Sequence, residues 1–258
     1  MSTPMAVRSF EYWLVRYRRT WFSGLVVSFA SPLLFLVAMG MGLGRLVDAE
    51  SSSALDGASY AAFIAPGLLA AAAMQTAAGE ATWPVLGALK WQRTYYAMLG
   101  TPLRPFDVML GHLAWIATRV LLSAVAFFAV MLLFALPAEP LAVLAVPAAL
   151  LTGVAFAAPL MGISATFETD TPFALIWRLG IMPMFVLSGT FFPVEQLPGW
   201  LRGVAYATPL WHGVDLCRDI VLGTATAGST AVHVGYLAAL SALGVLLAAH
   251  TYRRRLSS

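Results

Sequence analysis

The run from Leu141 to Ala165, LAVLAVPAALLTGVAFAAPLMGISA, carries not one charged residue. As a helix it extends about 37 Å, more than the roughly 30 Å of hydrocarbon in a bilayer. Its apolar residues do not alternate with polar ones as in the strands of a membrane barrel, and a helix satisfies its own backbone hydrogen bonds in lipid. The run therefore reads as a membrane-crossing helix. The whole chain reads the same way: of 258 residues, 60% are hydrophobic and only 10% charged, a composition that excludes an ordinary soluble domain.

Six stretches are long and apolar enough to cross: about 22–44, 59–79, 107–136, 141–165, 172–192 and 230–251. The first follows basic residues, as the core of a signal peptide does. It has the length of a full span, however, and no small-residue cleavage site follows it, so it is expected to be retained. Basic residues orient the set. With the N-terminus inside, Arg8, Arg16, Arg18, Arg19, Lys90, Arg93, Arg104, Arg253, Arg254 and Arg255 all face the cytoplasm, whereas Arg45, Arg202 and Arg218 face outward. Both termini are thus expected to be cytoplasmic, in a multi-pass protein of the cell membrane. The excess of basic charge lies beside spans, where it meets anionic lipid headgroups, and no nucleic-acid partner is expected. The single Cys217 excludes an intramolecular disulfide framework.

Two segments read as helices lying at the interface. Over residues 5–21, Val7, Phe10, Trp13, Leu14, Tyr17 and Trp21 fall on one arc of a helix, with Arg8, Glu11, Arg16 and Arg19 opposite. Between the second and third spans, aromatic and basic residues mix in a helix expected over 85–99 and stopped by Gly100 and Pro102. Presented to the cytoplasm between two spans, it is placed to receive a push.

Catalytic constellations are missing. His112, His212, His233 and His250 lack the spacing of a metal motif, so no metal ligand is assigned and each reads as a packing residue. Lys90, the only lysine, sits between Leu89 and Trp91 and cannot belong to a phosphate-binding Gly-Lys-Ser/Thr loop. Energy for active transport must then come from another chain or an ion gradient. No acid lies in the middle of a predicted span, which argues against ion coupling. Two arginines do fall within spans. Arg178 is near enough to the inner surface to snorkel, or to pair with Glu168 or Asp170. Arg119 is deeper; it reads either as a contact for an anionic, lipid-like substrate or as one half of a pair in a subunit interface.

The stretches YAAFIAPGLLAAAAM (Tyr60–Met74), TPLRPFDVMLGHLAW (Thr101–Trp115) and LSGTFFPVEQLPGWLRGVAYATPLWHGVDLCRDIVLG (Leu187–Gly223) resemble the ABC-2 type exporter permeases, in their NodJ-like branch of lipo-oligosaccharide and drug permeases. The third is the most specific, since its Gly, Phe-Pro, Leu-Pro, Pro-Leu and Asp-x-x-Arg elements occur in the family's order. The resemblance implies an all-α membrane fold of six transmembrane helices, with an N-terminal amphipathic elbow helix (5–21), a cytoplasmic coupling helix (85–99) and an extracellular re-entrant hairpin (190–222). It further implies a second permease, either another copy or a sister chain, and a separate ATP-binding cassette subunit that carries ATP and Mg; this chain would bind no cofactor. Lys90, Trp91, Gln92 and Arg93 would transmit the ATPase stroke.

The same resemblance places Pro193, Pro198 and Pro209 at the breaks of the hairpin, with Glu195 near its tip, Phe191 and Phe192 at the exit, and Trp200, Tyr206 and Trp211 at headgroup level. Asp215 and Arg218, three residues apart on the second arm, are expected to pair. The cargo implied is amphipathic: a lipid-linked saccharide, a glycolipid or a hydrophobic drug. Competing readings are a membrane enzyme acting on lipid-linked substrates, for which FETDT (Phe167–Thr171) is the only polar cluster, and a non-catalytic membrane scaffold.

Overall fold

The computed structural model describes residues 5–19, 21–38, 42, 59–137 and 139–257, without the side chains at 23–25, 27, 28 and 31. The far end of the first expected span, beyond 38, falls outside the described residues apart from residue 42. Among the described residues the fold is helical, with no strand. The helices are α1 (Met5–Tyr17), α2 (Trp21–Leu36), α3 (Tyr60–Ala81), α4 (Thr94–Leu99), α5 (Pro105–Leu133), α6 (Ala145–Ser164), α7 (Thr171–Leu187), α8 (Gly199–Ala207), α9 (Pro209–Leu222) and α10 (Ala227–Leu256).

Four helices are long and apolar enough to cross a membrane: α3 continued to Trp91, α5, α6 with its leading turn from Pro140, and α10. Their ends follow from local chemistry. Ser59, Thr208 and Thr226 cap α3, α9 and α10 by accepting the N–H of Ala62, Trp211 and Ser229. Asp107 accepts the N–H of Arg104 at 3.0 Å, and Pro105 occupies the first helical position of α5. Gly223, at φ 73°, ends α9 in the left-handed conformation that glycine adopts without strain.

Helix α3 is the buried centre. It packs against α5, α6 and α9, and its face of Ile64, Ala65, Leu69, Ala70, Met74 and Ala77 is sealed from outside. The most extensive contact is between α6 and α10, and α1 packs against α5. Small residues permit these approaches: a Cβ on Gly153 would lie 2.5 Å from Val120, and one on Gly162 3.0 Å from the Ala248 nitrogen. Close backbone approach replaces the hydrophobic driving force that helices lack in lipid. The outward faces remain apolar, with Leu121, Leu122, Val125, Leu132 and Leu133 on α5 and Leu243, Leu246 and Leu247 on α10.

Two expected elements take a different form. The helix expected over 85–99 is divided. A helical stretch ends at Trp91, Arg93 turns left-handed at φ 50°, and α4 starts afresh at Thr94. The apolar run 172–192 is helical only to Leu187, because Gly189 takes φ 77° and Pro193 follows.

Candidate functional site

Three clusters of polar side chains interrupt this apolar body. The first surrounds the segment between α3 and α5. All four residues expected to transmit a stroke, Lys90, Trp91, Gln92 and Arg93, are exposed. Gln92 accepts a 2.8 Å hydrogen bond from Arg16 of α1, and Lys90 is ion-paired to Glu168 in the turn between α6 and α7. Glu168 also pairs with Arg255 near the end of α10. Arg93 lies over the ring of Tyr96, and Trp91 projects outward, 63% exposed.

Beneath this surface layer lies a buried one. The Tyr95 hydroxyl of α4 meets His112 Nδ1 of α5 and, at 3.0 Å, the Tyr252 hydroxyl of α10. Trp13 of α1 stacks on His112, with ring centroids 3.9 Å apart and planes 9° from parallel. Burial pushes the Tyr95 phenol well above its usual range, so it stays a neutral hydrogen-bonding group at every physiological pH. The segment after α3 is thus tied at its surface and beneath it to α1, α5 and α10.

The second cluster belongs to Arg119. Its Nε lies 3.1 Å from Glu80 at the end of α3, its Nη1 donates to the Tyr17 hydroxyl at 2.8 Å, and its guanidinium covers the Tyr17 ring at 4.6 Å. Arg119 is therefore held within the chain by Glu80 and Tyr17, partners that neither expected reading supplied. Of the two readings of Arg178, snorkelling or pairing, only the pair is missing. It is exposed on α7 and forms no ion pair with Glu168 or Asp170 among the described residues; Glu168 is held by Lys90 and Arg255.

The third cluster surrounds the segment after α7. Arg218 of α9 donates to the carbonyls of Gly189 at 2.6 Å and Phe63 at 3.3 Å, and it stacks on the Phe63 ring at 3.9 Å. Gly67 makes room for it: a Cβ there would lie 3.2 Å from Thr190 and 3.3 Å from the guanidinium. Arg218 so fastens the exit of α7 to α3, and the expected pair with Asp215 does not form. Asp215 instead meets His233 Nε2 at 3.2 Å, and His233 Nδ1 lies 2.9 Å from His212 Nδ1. Phe191 is half-buried between Phe185 and Phe35, and Phe192 is half-buried beside it. Glu195 is exposed, where its carboxylate accepts from Tyr206 at 3.1 Å and its carbonyl from Arg202.

These linkages were not legible in the sequence. Trp13 lies on the apolar arc of α1, but nothing in its spacing points to His112, ninety-nine residues later. His212 and His233 look scattered because their spacing follows no single-helix motif; they come together only when α10 folds back on α9.

Comparison with known proteins identifies this architecture. The profile of the ABC-2 type transporter membrane domain matches residues 8–222. The chain belongs to the ABC-2 type transporter family. It is 33% identical over 251 residues to Nodulation protein J of Rhizobium leguminosarum bv. viciae, covering 95% of each chain. It is 34% identical to Nodulation protein J of Rhizobium leguminosarum bv. trifolii, covering 95% of this chain and 94% of that one. A more distant relative is the inner membrane transport permease YadH of Escherichia coli, 26% identical over 81% of this chain and 79% of that one. The protein is accordingly an ABC-2 permease, a multi-pass membrane protein whose work is transport.

Proposed function

We propose that this permease exports an amphipathic molecule, of the class of lipid-linked saccharides, glycolipids or hydrophobic drugs, powered by a separate ATP-binding cassette subunit that carries ATP and Mg. Two permeases, as a homodimer or with a sister chain, enclose the pathway. Six helices cross the membrane, the described part of α2 and the shorter α7 being the remaining two, and both termini are cytoplasmic. Helix α1 is the elbow at the interface. Helices α8 and α9 form a re-entrant hairpin in the outer leaflet, with Phe191, Phe192, Glu195, Asp215 and Arg218 around the exit and Trp200 at headgroup level.

The observation that carries this reading is the double linkage at Lys90–Leu99. Lys90, Trp91, Gln92 and Arg93 are exposed, while the adjoining Tyr95 is buried against His112 and Tyr252. A displacement of the exposed residues therefore reaches α5 and α10 through side chains in contact, the physical requirement for coupling. Arg178, exposed on α7, faces either the lipid headgroups or the second permease.

The test is co-purification with a candidate cassette ATPase from the same organism, followed by ATPase and transport assays in liposomes with candidate lipids and drugs. We expect substrate-stimulated hydrolysis. Joint replacement of Lys90, Gln92 and Arg93 by Ala should lower stimulated turnover at least tenfold while the permease still folds. A stable complex with unchanged coupling in that variant would refute the assignment. Glu168 is exposed and pairs with both Lys90 and Arg255, so Glu168→Gln, which breaks two surface pairs, should lower stability by no more than about 2 kcal/mol.

Orientation is tested by membrane-impermeant thiol labelling in intact cells, on a Cys217→Ala background. A cysteine replacing Glu195 should be labelled from outside, and one replacing Ser257 only after the membrane is opened. The reverse pattern would invert the topology.

A further inference from the structure

The turn between α9 and α10 gathers more ligand chemistry than the transport reading uses. Asp215 and Asp219 are four residues apart and so share one face of α9. That face meets His233, six residues into α10, near the membrane face opposite the C-terminal arginines. One ligand atom from each of Asp215, Asp219 and His233 lies within 4.8 Å of the others. His233 is 4% exposed, whereas both carboxylates are half-buried and reachable by water.

Neither carboxylate is in a salt bridge with a permanent cation among the described residues. Arg218 lies between them in sequence but is spent on the carbonyls of Gly189 and Phe63. His233 is the one basic group in bonding distance, of Asp215, among the described residues; the Arg218 guanidinium acts on both acids only through space. The His233 Nε2 lies 3.2 Å from Asp215 Oδ2. That separation suits two ligands bound at about 2.1 Å to one ion and about 100° apart.

The surroundings orient each ligand as metal sites require. A metal-bound histidine donates its second ring N–H to an acceptor, which fixes the ring and its tautomer. Here His233 Nδ1 lies 2.9 Å from His212 Nδ1, and the His212 ring is itself stacked on Tyr236 with centroids 3.9 Å apart. When His233 donates from Nδ1 to His212, the Nε2 lone pair faces the two carboxylates, an arrangement that is repulsive until a cation occupies it. Asp219 is held from behind by Thr224 Oγ1 at 3.1 Å and Ser229 Oγ at 3.3 Å. A site of one imidazole and two carboxylates favours zinc-like ions over calcium or magnesium, which take oxygen ligands alone.

We propose that Asp215, Asp219 and His233 bind a divalent transition-metal ion of the zinc class, with His212 as the positioning residue and water from the adjacent aqueous phase completing the coordination. The ion clamps α9 to α10. Without it, neutral His233 carries its proton on Nε2 and bonds Asp215 while accepting from His212 at Nδ1; on binding, both rings exchange tautomer through water, His233 to Nδ1–H and His212 to Nε2–H, so the Nε2 lone pair of His233 goes to the metal with no net change in protons. The site stands independently of what the permease carries or what drives it.

The test uses the full-length permease in lipid nanodiscs, stripped with EDTA and titrated with Co2+ while its visible absorption is followed. One saturable equivalent is expected, with the spectrum of a nitrogen- and oxygen-ligated ion, displaced by one equivalent of Zn2+. Asp219→Asn and His233→Ala should each abolish the saturable signal. His212→Ala should weaken binding roughly 10- to 100-fold without removing it, as loss of an orienting partner does. Because His233 is buried, Asp219→Asn at the half-buried position is the deciding variant if His233→Ala fails to fold. Absence of saturable binding in the unaltered protein would overturn the proposal and leave a proton-sharing network; a signal that persists in Asp219→Asn would do the same.

Discussion

Arg119→Ala is expected to lower the stability of the folded permease by about 2 to 3 kcal/mol, at or just below what breaking a fully buried ion pair costs, since this pair is partly buried. The reason is what it leaves behind. The side chains of Arg119 and Glu80 are only 17% and 25% exposed, and removing the guanidinium strands the Glu80 carboxylate. Arg119 also joins three helices, α1 through Tyr17, α3 through Glu80 and its own α5, so the loss should appear as lower folded yield and a lower thermal midpoint in detergent. Arg119→Lys should recover only part of it, since a point-like ammonium cannot bond Glu80, bond Tyr17 and stack on the Tyr17 ring at once. Replacing both partners, Arg119→Met with Glu80→Met, should restore most of the stability, because neither charge is then left unpaired. If Arg119→Ala instead melts like the unaltered protein and loses only transport, Arg119 is a substrate contact and the anchoring role is wrong.

Gly244→Val should be of similar severity, about 3 kcal/mol, at the upper end of ordinary overpacking. A Cβ at Gly244 would lie 2.4 Å from Pro159 Cδ, 2.6 Å from Pro159 N and 2.9 Å from Ala158 Cβ. The obstruction is backbone and a proline ring, neither of which can rotate aside. Gly162 meets the Ala248 backbone from the other side of the same contact, so α6 and α10 would have to separate along their length. In lipid that contact has no solvent-driven attraction to restore it. Gly235, on the same helix with nothing within 4 Å of its added Cβ, is the control: Gly235→Ala should be neutral or stabilising by up to about 1 kcal/mol. Equal thermal midpoints for Gly244→Val and Gly235→Ala would show that the α6–α10 contact does not hold the fold.

Some of this was legible before any coordinates. Leu141–Ala165 reads as a crossing helix, and α6 with its leading turn covers that ground. The stop expected at Gly100 and Pro102 matches the end of α4 at Leu99. The division of 85–99 at Arg93 was not legible, because Gln92–Arg93 carries no glycine or proline to announce a left-handed residue. Nor were the partners of Arg218: the Asp-x-x-Arg spacing suggested Asp215, whereas Gly67 of α3 admits the guanidinium to the Gly189 and Phe63 carbonyls.

The amino-acid sequence alone determined that this is a helical membrane protein, and where four of its long apolar helices run. A bilayer has one thickness and tolerates one backbone solution for such runs, so length and apolarity along the chain are enough to read them. Only the tertiary structure decided which charges meet. Glu80 with Arg119, Glu168 with Lys90 and Arg255, and His212 with His233 and Asp215 are set by which helices lie side by side and how each is rotated. That in turn depends on glycine contacts such as Gly244 on Pro159 and Gly67 beside Arg218, which leave no periodic signal along the chain.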